Sequence, residues 1–181
     1  YNVNELRFAL PSTDNPQLLT IPPTCNAGIF RLHFVDAGLN TGFDDPILGP
    51  QRQAIACQVF TDLSQLINEA NSPYSSIPNL GNGNSFVEIE VRQSINTSSN
   101  PMLGMAGQYY LSTSSGIVHG TVWETINTGL DSWFGVNNSN LGNFGIYHGL
   151  MQINFGHPFY LGTNPSAIPS SDFDLYTVIL H

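Results

Sequence analysis

The sequence contains no lysine and only four arginines against thirteen acids, so the net charge is -9 although just 9% of residues are charged. This shortage of positive charge excludes an electrostatic grip on phosphate. Nucleic-acid binding needs clustered Lys and Arg that displace counterions, and four dispersed arginines make no cluster. A polybasic contact with a membrane is excluded on the same ground. Long apolar runs are also missing, since no segment approaches the ~20 residues that span a bilayer. No basic stretch followed by an apolar one opens the chain, and Tyr1 reads as a mature or trimmed terminus. Cysteine is scarce: Cys25 and Cys57 are the two present, without the Cys-x-x-Cys spacing of a thiolate zinc site. Two readings of this pair stay open, a disulfide joining the approach to the first strand with the first helix, or two buried free thiols.

What is there suffices for a core. The chain has 181 residues, 41% of them hydrophobic, enough for one domain without staples. Asn, Ser, Thr and Gly supply most of the polar surface, a composition that suits a secreted, extracellular protein. Asn96-Thr-Ser and Asn137-Asn-Ser fit the glycosylation acceptor pattern.

Residues 1–28 carry Pro11, Pro16, Pro22 and Pro23 and read as an extended N-terminal arm with at most one short strand. Residues 29–181 form the folded unit. Ile29–Val35 alternates, with Phe30, Leu32 and Phe34 on one face, and predicts the first strand. His33 falls on the opposite face beside Arg31 and reads as a sheet-surface histidine rather than a ligand. The loop 36–49 holds Asp44-Asp45-Pro46. It reads as a turn with a helix-capping acid, not a calcium loop, because the run of oxygen ligands is lacking. Arg52–Ala70 has apolar residues at 56, 59, 60, 63, 66 and 67 and predicts a long amphipathic helix with Pro50 at its start.

Gly81-Asn-Gly-Asn84 resembles a phosphate loop only superficially, since no lysine follows it. Phe86–Arg92 alternates again, predicting Val87, Ile89 and Val91 inside. Glu88, Glu90 and Arg92 then fall outside, as surface charges rather than an acid/base pair. Gly104–Ser112 predicts a third strand. Gly116–Asn127 fits both a helical stripe (Val118, Val122, Ile126) and a strand, and its His119 and Glu124 read as structural. Gly149–Phe155 predicts a buried strand. Finally, Ser171 followed by Asp174, ahead of Leu175, Val178 and Ile179, predicts a capped helix from near Asp172 with His181 about two turns in. The fold class is α/β (α+β): a twisted mixed sheet of about five strands with a long helix between strands one and two, closed by the terminal helix.

Four segments carry a family resemblance: Phe30-x-Leu-His-Phe-x-Asp36, Gly42-Phe-Asp-Asp-Pro46, Gly116-Ile-Val-x-Gly-x-Val-Trp123 and Asp172-Phe-Asp-Leu-Tyr-x-Val-x-Leu-His181. In this order they resemble the N-terminal subdomain of secreted, metzincin-like zinc metalloproteases of bacteria, a zincin-like fold. The resemblance implies that His181 is the first histidine of a His-Glu-x-x-His helix. In that motif two histidines on one helical face share a zinc, and the glutamate is base to the zinc-bound water. It further implies a Zn2+ cofactor and a peptide or protein substrate for the full-length parent. The substrate is expected along Met151, Ile153 and Phe155, as a strand added to the sheet edge.

This chain by itself holds one of at least three ligands and no general base, so it is expected to hydrolyse nothing alone. The alternative is an extracellular filament or surface-assembly subunit that donates Asn2–Leu10 to a neighbour's sheet. A carbohydrate module built on Trp123, Trp133 and the tyrosines is a weaker third reading, because aromatics at this density usually pack in the core.

Overall fold

Alternation in three sequence segments and one long amphipathic stretch between them account for the central architecture. The structure, a computed structural model, describes residues 23–36, 38–70, 86–95, 97–113, 116–128 and 147–181, with only the backbone described at 68–70, 111–113, 116–119 and 128. Most of the N-terminal arm, Gly81–Asn84, Trp133 and Asn137 therefore lie outside the described residues.

The described residues open on a hairpin, β1 (Thr24–Ala27) and β2 (Phe30–Phe34), whose first strand lies within the segment 1–28. Gly28 makes the turn at φ 63, a left-handed conformation that favours glycine. A Cβ there would also lie 2.0 Å from the Ser64 hydroxyl. That hydroxyl accepts the Ile29 N–H at 2.9 Å, tying the hairpin to α1 (Gly49–Ala70). The sulfurs of Cys25 and Cys57 lie at disulfide-bonding distance with their Cα atoms 6.2 Å apart, a second tie between β1 and α1.

After α1 come β3 (Val87–Gln93), β4 (Gly104–Gln108), β5 (Tyr110–Thr113), β6 (Gly116–Gly120), α2 (Thr121–Thr128) and β7 (Gly149–Ile153). The main sheet runs β1-β2-β3-β7-β4. Strands β2, β3 and β7 are mutually parallel and the two outer strands antiparallel, giving a five-stranded mixed sheet. Register places Leu32 opposite Ile89 and Val91 opposite Met151. The apolar sets of three strands thus share one face. They pack with Ala56 and Val59 of α1 into a core that includes Phe30, Phe34, Phe43, Val87 and Ile153.

The ambiguous segment 116–127 is both things in turn, β6 paired with β5 and then α2. Thr121 marks the switch: its N–H donates to the Tyr109 carbonyl and its hydroxyl to the His148 carbonyl. Past β7, the two-residue strands β8 (Phe159–Tyr160) and β9 (Phe173–Asp174) pair in parallel, and α3 (Leu175–Leu180) follows.

Two expectations are corrected. The terminal helix starts at Leu175, not near Asp172, because Phe173 and Asp174 are held by the pairing with β8. The strand expected at a sheet edge is internal: β7 is hydrogen-bonded to β3 on one side and β4 on the other.

Candidate functional site

Helix α3 is built from its cap inward. The Asp174 carboxylate accepts the Thr177 N–H at 3.2 Å and the Thr177 hydroxyl at 2.5 Å, satisfying one of the amides the first turn leaves free. Leu175 and Ile179, four apart on one face, are buried in the core, with Val178 packed beside them. The Tyr176 hydroxyl donates to Asp62 of α1 at 2.6 Å. That bond holds the phenol proton and raises its pKa above the usual value.

His181 closes the helix: its backbone N–H donates to the Thr177 carbonyl at 3.2 Å and the residue is exposed. Tetrahedral zinc in a catalytic site takes three protein ligands. Among the described residues no group of three or more His, Cys, Asp or Glu side chains is placed to hold a metal ion.

The expected substrate-lining residues fall elsewhere. Met151 and Ile153 are buried in the core. Phe155 stacks edge-on to Phe43 at 5.0 Å and lies 4.0 Å beneath the Arg52 guanidinium. With β7 internal, these three side chains sit within the packing and not along an edge. The strand that ends the sheet beside them, among the described residues, is β4.

A polar cluster occupies the sheet face turned away from α1, and it corrects the reading of Glu88 as a surface charge. Glu88 is 2% exposed. Its carboxylate meets His33 Nε2 at 2.5 Å and Arg31 Nη1 at 3.3 Å. Tyr147 lies over the His33 ring, with centroids 5.1 Å apart. Arg31 also stacks on Phe86 at 4.1 Å.

Behind the cluster, His148 pairs with Glu88 through the backbone and accepts the Glu88 N–H on its ring Nδ1 at 2.9 Å. Glu90 is engaged separately, with Arg92 at 3.3 Å and the Tyr109 hydroxyl at 3.3 Å. Burial first, and the nearby Glu90 second, push the Tyr109 and Tyr147 phenols up. Each carboxylate has its own cation, so the cluster is a neutralised network holding the sheet's second face. Alternation within one strand does not reveal this burial; the signal that could is that Arg31, His33, Glu88 and Glu90 occupy matching alternate positions on two neighbouring strands.

The acidic loop is a turn. Asp36 accepts the N–H groups of Gln93 and Asp44, and Asp44 those of Asn40 and Gly42. Asp45 accepts from Ile47 and Leu48 at the start of α1. These amide bonds lower the Asp45 pKa, while burial raises that of Asp36. Arg52 completes the loop by donating to the Thr41 and Gly42 carbonyls. His119 and Glu124 fall on β6 and α2 respectively, and the side chain of His119 is not among those described. No helix among the described residues is long and apolar enough to cross a membrane. No protein-family model, curated protein or solved structure matches the chain.

Proposed function

We propose that this chain is the sheet-and-helix part of a secreted zinc-dependent metallopeptidase whose parent cleaves peptide bonds, with His181 as its first metal ligand. The observation that carries the reading is the position of α3. Leu175 and Ile179 pack with α1 residues against the sheet, leaving His181 exposed at the helix end. The helix also reaches the outer strand: a Cβ at Gly104, the first residue of β4, would lie 3.7 Å from Val178 Cγ1. An extended peptide pairing with β4 would run beside the helix that bears the histidine.

The chemistry belongs to the parent. A zinc ion there would lower the pKa of its bound water and polarise the scissile carbonyl. The role of this chain's residues is to fix the imidazole by capping and packing α3, and to offer the edge.

The test is the encoded polypeptide extended past His181. A Glu-x-x-His continuation, zinc bound in equimolar amount, and casein cleavage that is lost on chelation and in His181→Ala are expected. A continuation without a glutamate and histidine at that spacing, or cleavage indifferent to His181→Ala, overturns the proposal. The assembly alternative rests on donation of Asn2–Leu10, which lie outside the described residues.

A further inference from the structure

We propose that Asn154, with His157, is a positioning residue that fixes the outer strand β4 against α3, and so sets where a peptide paired with β4 lies relative to His181. The second clause rests on the proposed function; the first stands on geometry alone.

Strand β4 has little with which to hold itself. Its sequence is Gly104-Met-Ala-Gly-Gln108, and a Cβ added at Gly107 would meet nothing within 4 Å. The strand is placed by its ladder to β7, by Gln108, whose side-chain oxygen accepts the Trp123 N–H at 3.0 Å, and by the loop that leads into it. Two side chains from beyond β7, Asn154 and His157, reach that loop.

Asn154 follows the last residue of β7 and is 0% exposed. Its amide nitrogen donates to the carbonyls of Thr97 at 3.0 Å and Met102 at 3.0 Å, with Asn100 further off at 3.4 Å. Its oxygen accepts the N–H groups of Thr97 at 3.1 Å and Gly156 at 3.0 Å. Both ends of the loop thus close on one buried amide whose donors and acceptor are all engaged. The Asn154 N–H donates to the Leu103 carbonyl at 2.8 Å, carrying the pairing with β4 one step past the strand.

Gly156 allows this approach, because a Cβ there would lie 2.4 Å from the Thr97 nitrogen. An apolar residue at 154 would take the Asn154 bond from the Thr97 and Gly156 N–H groups and from the Met102 carbonyl.

The same turn connects to the helix. His157 Nε2 lies 2.7 Å from the Asn100 carbonyl, which can only accept, so that nitrogen carries the proton. The His157 ring stands edge-on to Phe173, with centroids 5.8 Å apart. The Phe173 N–H donates to the Pro158 carbonyl, and Asp174, next in the chain, caps α3. One continuous set of contacts therefore runs from the loop before β4, through residues 154–157, to the first turn of α3.

Two measurements test this. Hydrogen exchange on the 181-residue chain compares wild type with Asn154→Ala and the milder His157→Phe. Faster exchange confined to Leu103–Gln108 and the first turn of α3, with β2 and β3 protected as before, is expected. Uniform change across the sheet, or none, in His157→Phe overturns the proposal even if Asn154→Ala fails to fold. The second measurement uses the extended polypeptide. His157→Phe is expected to raise KM about five-fold while kcat changes less than about two-fold, the pattern of lost substrate placement. An active wild type whose KM is unmoved by His157→Phe overturns the peptide-placing role. An inactive wild type defeats the peptidase reading instead, and the exchange result then decides the placement of β4 by itself.

Discussion

Glu88 stands on the sheet face opposite α1, with Arg31 and His33 beside it. Strand alternation put it outside, and outside it is, yet the outer face is itself covered. A carboxylate that is 2% exposed needs its partners, and it has Arg31 and His33 on the neighbouring strand. Removing Glu88 leaves the partly buried Arg31 guanidinium without its carboxylate. Glu88→Ala is therefore expected to cost about 3 kcal/mol or more in urea unfolding. Glu88→Gln, which keeps a hydrogen-bonding oxygen, should cost less. Equal stability of wild type and Glu88→Ala would show that the network contributes nothing. Glu90, whose side chain is 14% exposed beside Arg92, is expected to tolerate alanine better.

At the scale of elements, α3 shows what a local pattern can and cannot fix. The apolar spacing of Leu175, Val178 and Ile179 was legible, and so was an acidic cap. The start of the helix was not, because it depends on a contact with Phe159–Tyr160 that nothing near Ser171 announces. The same limit explains β7. Leu150, Met151 and Ile153 marked it as buried, but a place between β3 and β4 is a property of sheet order, which period-two patterning does not carry. The Asn154 node was invisible for a related reason: an Asn after a strand reads as a loop residue until its distant carbonyl partners are known.

The helix itself is short, so its cap matters. Asp174→Ala removes the acceptor for the Thr177 N–H and hydroxyl. A loss of about 1 kcal/mol is expected, with faster amide exchange from Tyr176 to His181 and no change in β2. Unchanged protection across that segment would mean that packing by Leu175 and Ile179 suffices.

For the molecule as a whole, alkaline pH is the condition that sets its parts against one another. Tyr109 and Tyr147 on the outer face, and Tyr176 between α1 and α3, all have phenol pKa values raised in the fold. The first two are raised chiefly by burial and the third by its bond to Asp62. The folded chain then keeps these protons to higher pH than the unfolded chain does. Between the two values the folded state binds more protons, so stability falls as pH rises. The stabilisation is complete below the ordinary tyrosine value of about 10 and disappears as pH climbs through the folded values. A protein already at net charge -9 also gains self-repulsion from each new phenolate.

Urea unfolding between pH 8 and 11 should show this decline, and absorbance at 295 nm should show Tyr109, Tyr147 and Tyr176 titrating late. Salt separates the two contributions, because added salt screens general repulsion but leaves buried phenols unable to ionise without rearrangement. Tyr147→Phe removes one late phenol and is expected to flatten the stability decline in high salt. A slope that salt abolishes entirely, and that Tyr147→Phe leaves unchanged, would assign the alkaline limit to net charge alone.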